Sequence, residues 1–171
     1  GQEFAAWACA ARRDIARLKK AQDERRCLNL GGTAIGTSLN ASPDYVSHIT
    51  EHLQEVCGIE LSQAGNLIDG TQNLDAFVAV SGVMKTCAVD LSKRANDLRL
   101  LSSGPRAGLQ EILLPARQNG SSIMPGKVNP VIPEVVSQVA FNVIGNDCTA
   151  TLAAEAGQLE LNAFEPVLFY N

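Results

Sequence analysis

From about Asp69 to Leu101 the apolar residues fall on one side of a helix. Ala76, Val80, Val83, Met84, Cys87, Ala88, Leu91, Ala95 and Leu98 form a stripe close to heptad spacing. A narrow stripe rich in small residues suits packing against other long helices, within one chain or between subunits. Residues 1 to about 26 carry the helical period too. Phe4, Trp7, Ala8, Ala11, Ile15 and Leu18 sit at steps of three or four, with Arg12, Arg13, Arg17, Lys19 and Lys20 between them. Leu28 to Ala41 reads as a Gly/Thr/Asn-rich connection. Ser42-Pro43-Asp44 then supplies an N-cap and a proline at the first helical position, and the helix it starts should run to about Val56 and stop at Gly58. Pro130 or Pro133 belongs in the first turn of a further helix reaching about Ala154. A break near Gly157 precedes a last helix from about Asn162. No run alternates as a strand would, and no segment repeats. The expected fold class is all-α, a long-helix bundle, with residues 1–171 as one central helical domain.

Composition narrows the function. The chain has 171 residues, 46% hydrophobic and 19% charged, with a net charge of −4. Its longest basic run is Arg25-Arg26, which argues against nucleic-acid binding. No segment approaches 18 uninterrupted apolar residues, and the first residues lack a signal-peptide pattern, so no membrane role is expected. Cys9, Cys27, Cys57, Cys87 and Cys148 are odd in number and contain no C-x-x-C pair. Free thiols in a cytoplasmic protein are expected rather than disulfides or zinc. His48 and His52 lie four apart, but Glu51 and Glu55 complete no third ligand on that face. They read as surface or packing histidines, and no metal site is expected.

The chemistry concentrates in Gly120-Ser121-Ser122-Ile123-Met124-Pro125-Gly126-Lys127-Val128-Asn129. This run has no helical or strand period, yet it lies between helix-like segments, as an ordered binding or reacting loop does. Lys127 offers a compact positive charge, and Asn129 an amide that both donates and accepts. Together they suit a substrate carboxylate. Gly120 permits a positive φ, from which successive N–H groups can form an anion nest. Ser121 or Ser122 can abstract a proton only if nearby cations and N–H groups stabilise the alkoxide. The plainer reading is a Gly/Ser surface loop with a chance lysine.

The loop resembles the G-S-S-x-M-P-x-K-x-N pattern of the fumarase/aspartase superfamily at every fixed position. Leu30-Gly31-Gly32-Thr33-Ala34-Ile35-Gly36-Thr37 is similar to the superfamily's G-G-T-A-x-G-T-G-L-N segment, with Ser38 in place of a glycine. Ala95 to Leu100 and Ser103 to Gly108 also match, and essentially all of the chain aligns with the middle of such an enzyme. Ala153 to Asn162 and Asn129 to Glu134 resemble the aspartase branch more than the fumarase branch. That resemblance implies an ammonia-lyase that converts L-aspartate to fumarate and ammonia through an aci-carboxylate. A class II fumarase acting on malate is the alternative, and a non-catalytic helical assembly domain is another.

By the same resemblance Ser121 is the catalytic base and Ser122 and the loop backbone bind the developing oxyanion. Lys127 and Asn129 hold a substrate carboxylate. Glu134 polarises an active-site histidine, or is an ordinary first-turn glutamate. The family works as a homotetramer on small dicarboxylates, with each active site shared by three subunits, and without an organic cofactor. Some members are activated by a divalent metal at a site this stretch does not identify. The family's T-H-x-Q-D and S-S-x-N segments are absent here. The chain is therefore expected to be an internal fragment that is inactive alone.

Overall fold

The computed structural model describes residues 1–124 and 126–170; Pro125, which the loop pattern includes, and Asn171 lie outside them. The elements in chain order are α1 (Gln2–Asp23), β1 (Cys27–Leu28), α2 (Pro43–Cys57), β2 (Ser62–Gln63), α3 (Leu67–Gln72), α4 (Asp75–Leu101), α5 (Val131–Glu155) and α6 (Glu165–Tyr170). The chain divides into two compact units. One comprises Gly1–Asp14 and Lys85–Gly145, the other Ile15–Met84 and Asn146–Asn171. The all-α reading holds: β1 and β2 form only a two-residue parallel pair, too short to show alternation in sequence.

In the first unit α4 meets α5 along small residues. Ala88, Ser92 and Ala95 of α4 are buried, as are Ser137 and Ala140 of α5, and Ser92 Oγ lies 3.5 Å from Ser137 Oγ. Small side chains allow such close approach of two helices. Asp14 at the end of this unit's α1 segment is 4% exposed and accepts a 2.9 Å bond from Arg94 Nη2. The heptad stripe is only partly covered, because Met84 and Leu91 remain 49% and 44% exposed.

The second unit is built from local caps and a few long-range bonds. Ser42 Oγ accepts from Tyr45 N–H at 3.1 Å to start α2, and Gly58 ends it at φ 65°. Gln63 of β2 donates to the Leu30 and Val46 carbonyls at 2.9 and 2.7 Å, fastening the Gly-rich connection to α2. Gly36 packs so tightly on α3 that a Cβ would sit 2.3 Å from Ile68 Cα. Asn162 caps the end of α5, donating to the Ala153 and Ala154 carbonyls, while its Oδ1 accepts from Phe164 N–H at 2.8 Å. That use of Asn162 delays α6 to Glu165, three residues later than the sequence pattern suggests.

The long helix expected from Asp69 to Leu101 is two helices. Asn66 caps α3 through Oδ1, and Asn73 takes an extended backbone at φ −98° and ψ 132°. Asn73 Nδ2 bonds the Asp69 carboxylate at 2.6 Å, and buried Leu74 anchors the break. A local side-chain bond thus competes with continued helix.

Ser38 has φ 58°, the left-handed region that costs a side-chain-bearing residue roughly 1–2 kcal/mol. Ser38→Gly is therefore expected to leave stability unchanged or raise it by up to about 1 kcal/mol, after the added flexibility of the unfolded chain is set against the relieved strain. A urea unfolding midpoint that falls clearly would contradict this.

Among the described residues, the buried apolar set is Ala21, Leu74, Ala88, Ala95, Ala140, Ala150 and Ala153. Six of these seven are alanine. Meanwhile Leu100 on α4 and Val139, Phe141 and Leu152 on α5 stand more than half exposed. Among the described residues the buried apolar side chains are thus mostly small, while several large ones on α4 and α5 stay exposed.

Candidate active site

The Gly120–Lys127 loop is closed at its base. Asn119 and Val128 form an antiparallel bridge, and Gly120 N–H donates to the Lys127 carbonyl at 2.8 Å. Inside, Met124 N–H bonds the Ser121 carbonyl at 3.1 Å, Lys127 N–H bonds the Met124 carbonyl at 3.2 Å, and Ser121 Oγ accepts from Ile123 N–H at 3.3 Å. The described residues of the run thus form turns closed by a bridge at the base.

The positive φ expected at Gly120 lies elsewhere in the loop. Gly120 is not among the residues with positive φ; Gly126 is, at 79°. Gly120 is required for close approach instead. A Cβ there would lie 2.6 Å from Lys127 Cγ and 2.7 Å from the Lys127 carbonyl oxygen. Gly120→Ala is expected to break the bridge at the loop base at a cost of about 1–3 kcal/mol. Amide hydrogen exchange tests this: protection of the residue 120 N–H should be lost, and retention would refute it.

Ser121, Ser122 and Lys127 are exposed on this loop, while Gly120, Asn129 and Glu134 are partly buried. Asn129 and Glu134 share an open cleft of about 390 Å³ with Arg99, Ser102 and Ser103. Ser121, Ser122 and Lys127 do not line that cleft. The structure therefore brings together two of the expected site residues, Asn129 and Glu134, and holds the other four, Gly120, Ser121, Ser122 and Lys127, on the neighbouring loop.

Glu134 lies in the first turn of α5 and Arg99 in the last turn of α4. Each charge complements its own helix dipole, negative at an N-terminus and positive at a C-terminus. They also face each other, with Arg99 Nη2 3.7 Å from Glu134 Oε1. Sequence reasoning gave Arg99 no role. Its only sequence signal is that a cation ends a long helix whose partner starts with an acid. Ser103, another lining residue, is held by its Oγ, which donates to the Leu100 carbonyl at 2.6 Å and accepts from Leu109 N–H at 3.2 Å. The cleft offers an amide, a guanidinium and two hydroxyls as donors, beside one carboxylate as acceptor. That set suits a small polar anion. Among the described residues no group of three or more His, Cys, Asp or Glu side chains is arranged to hold a metal ion.

A long-helix domain with a G-S-S-x-M-P-x-K-x-N loop at the start of a helix defines a lyase of the fumarase/aspartase superfamily, and the chain belongs to that family. The family model described as "Lyase" matches residues 1–145. Aspartate ammonia-lyase from Bacillus sp is 58% identical over 171 residues, covering 100% of this chain and 36% of that protein. The chain thus spans little more than a third of the length of such relatives. Among solved structures, fumarate lyase:delta crystallin from Brucella melitensis bound to cobalt superposes with a TM-score of 0.94 at 59% identity, covering 99% of this chain and 37% of that one. A class II fumarase from Schistosoma mansoni gives a TM-score of 0.88 at 35% identity, over 98% of this chain and 38% of that one.

Proposed function

We propose that these residues are the central helical domain of an aspartate ammonia-lyase that converts L-aspartate to fumarate and ammonia. The observation that carries this reading is likeness over all 171 residues of this chain to aspartate ammonia-lyase at 58% identity, against 35% for the class II fumarase structure.

In this proposal Ser121, as its alkoxide, takes the proton from the carbon beside the side-chain carboxylate. The resulting aci-carboxylate is held by Ser122 and loop N–H groups. The C–N bond at the adjacent carbon then breaks, its electron pair leaves with the amine, and fumarate and ammonia result. Lys127 and Asn129 bind a substrate carboxylate. Glu134 orients a histidine supplied from outside these residues, and Gly120 keeps the loop base closed. The reaction needs no organic cofactor. Activation by a divalent cation fits the proposal but has no assigned residues in it.

A homotetramer whose active sites are shared by three subunits completes the reading. Its support is the row of large apolar residues left uncovered on α4 and α5, the kind of surface that packs between subunits. On this view residues 1–171 alone are inactive, because other segments must complete each site. A cytoplasmic location belongs to the same reading and rests on five free cysteines. No described helix is long and apolar enough to cross a membrane. The crystallin name borne by the Brucella melitensis relative keeps a non-catalytic assembly role as the second reading.

The test follows fumarate absorbance in the full-length protein with L-aspartate and, separately, L-malate. Release from aspartate is expected. Release from malate alone would move the assignment to fumarase, and release from neither would favour the assembly role.

A further inference from the structure

On α2, away from the loop and the cleft, Asp44, His48 and His52 recur every four residues and so share one helix face. The two imidazoles stand 6.3 Å apart between ring centres, with planes inclined by 32°. They line an open groove of about 460 Å³ together with Ser42, Asp44, Tyr45 and Ile49. Both side chains are more than half exposed.

Hydrogen bonding sets which ring nitrogen is available. His48 Nδ1 lies 2.8 Å from the Asp44 carbonyl oxygen. A carbonyl only accepts, so Nδ1 must carry the proton and donate it. The Asp44 carboxylate, 3.4 Å from the same nitrogen, favours the same arrangement. His52 Nδ1 faces the Glu55 carboxylate at 3.5 Å, again an acceptor. With the Nδ1 proton placed there, the His48 lone pair falls on Nε2, and the Glu55 carboxylate favours the same tautomer for His52. An imidazole that donates Nδ1–H to a carbonyl or carboxylate is the usual setting of a metal-ligating histidine. Spacing alone made these surface histidines; the oriented tautomers are what the structure adds.

We infer that His48 and His52 form a two-imidazole chelate, through their Nε2 atoms, for a late first-row divalent cation such as Ni²⁺. Metal–nitrogen bonds of about 2.0–2.1 Å hold a shared ion roughly 3.2 Å from each ring centre, so two ligating rings stand at most roughly 6.4 Å apart, and the observed 6.3 Å lies within that limit. Two nitrogen ligands with water in the remaining positions suit Ni²⁺ or Cu²⁺ over Mg²⁺ or Ca²⁺, which take oxygen ligands.

The probe is Ni²⁺, titrated calorimetrically into the full chain after alkylation of its thiols. Expected are one site per chain and at least tenfold weaker binding in both His48→Gln and His52→Gln. Each substituted side chain is exposed, so folding should be unaffected, and circular dichroism checks that directly. As a second readout, Ni²⁺ should broaden the His48 and His52 ring signals together in a histidine-selective NMR spectrum, at ion concentrations that leave other residues sharp. No binding, binding unchanged in both variants, or loss in only one of them would overturn the chelate.

Discussion

Replacing Ser121 by alanine in the full-length protein is expected to lower kcat for fumarate release from L-aspartate by about 10²–10⁴-fold, the usual contribution of a positioned general base. That equals about 2.7–5.5 kcal/mol of barrier. KM should stay near that of the parent, because the proposed carboxylate binders, Lys127 and Asn129, are unchanged. This split separates a base from a binding residue, whose loss would raise KM. The substitution removes one acceptor from the loop, the 3.3 Å bond from Ile123 N–H. That bond is long and exposed, so its loss should disturb the loop little. Lys127→Ala supplies the contrast, with KM rising instead. A kcat for Ser121→Ala close to the parent's would remove Ser121 from the role of base.

The second large effect is on stability. Arg94→Leu is expected to destabilise the fold by about 3–5 kcal/mol. Arg94 Nη2 reaches Asp14 Oδ2 at 2.9 Å, with side chains only 17% and 5% exposed. Removing the guanidinium takes away the Arg94 cation from a buried carboxylate in a medium that solvates charge poorly. Arg94 also donates from Nε to the Asp90 carbonyl at 3.1 Å, a bond lost in the same step. The paired change Asp14→Leu with Arg94→Leu should recover much of the loss, because a buried ion pair replaced by apolar groups is often nearly neutral. By comparison Arg26→Leu, which breaks the 3.3 Å pair with the largely exposed Glu60, should cost only about 0–1 kcal/mol through that pair. Urea unfolding midpoints check all three. Equal small shifts for Arg94→Leu and Arg26→Leu would show that the buried pair carries no special weight.

The buried pair also bears on thiol chemistry in the same unit. Burial pushes the Cys87 thiol up, Asp14 pushes it further, and Arg94 opposes them. Cys87 therefore carries less thiolate at neutral pH than an open cysteine does.

What could be read from the residues alone depended on how local its cause was. Ser42, Pro43 and Gly58 delimit α2 through bonds within a turn of the chain, so its limits were legible from sequence. That a proline, Pro130 or Pro133, marks the start of α5 was legible for the same reason, and the helix begins between them at Val131. The break between α3 and α4 was not, because Asn73 and Leu74 fit a helical pattern. An Asn73–Asp69 side-chain bond and the burial of Leu74 end the helix there. The composition of the loop announced a turn-rich segment, yet the positive φ belongs to Gly126. Gly120 is needed because the returning strand of the loop leaves no room for a Cβ.

By itself, then, the sequence determined the helical class, the caps of α2 and the loop pattern that places the chain in its lyase family. Periodicity, capping and motif spacing act over a few residues and survive in a one-dimensional string. Only the tertiary structure decided that Arg99 faces Glu134 across a cleft also lined by Asn129, while Ser121, Ser122 and Lys127 stand outside it. That arrangement depends on where the end of α4 meets the start of α5, thirty residues later in the chain, and no local propensity encodes such a meeting. Packing set it, through the small-residue seam at Ser92 and Ser137 that lets the two helices approach.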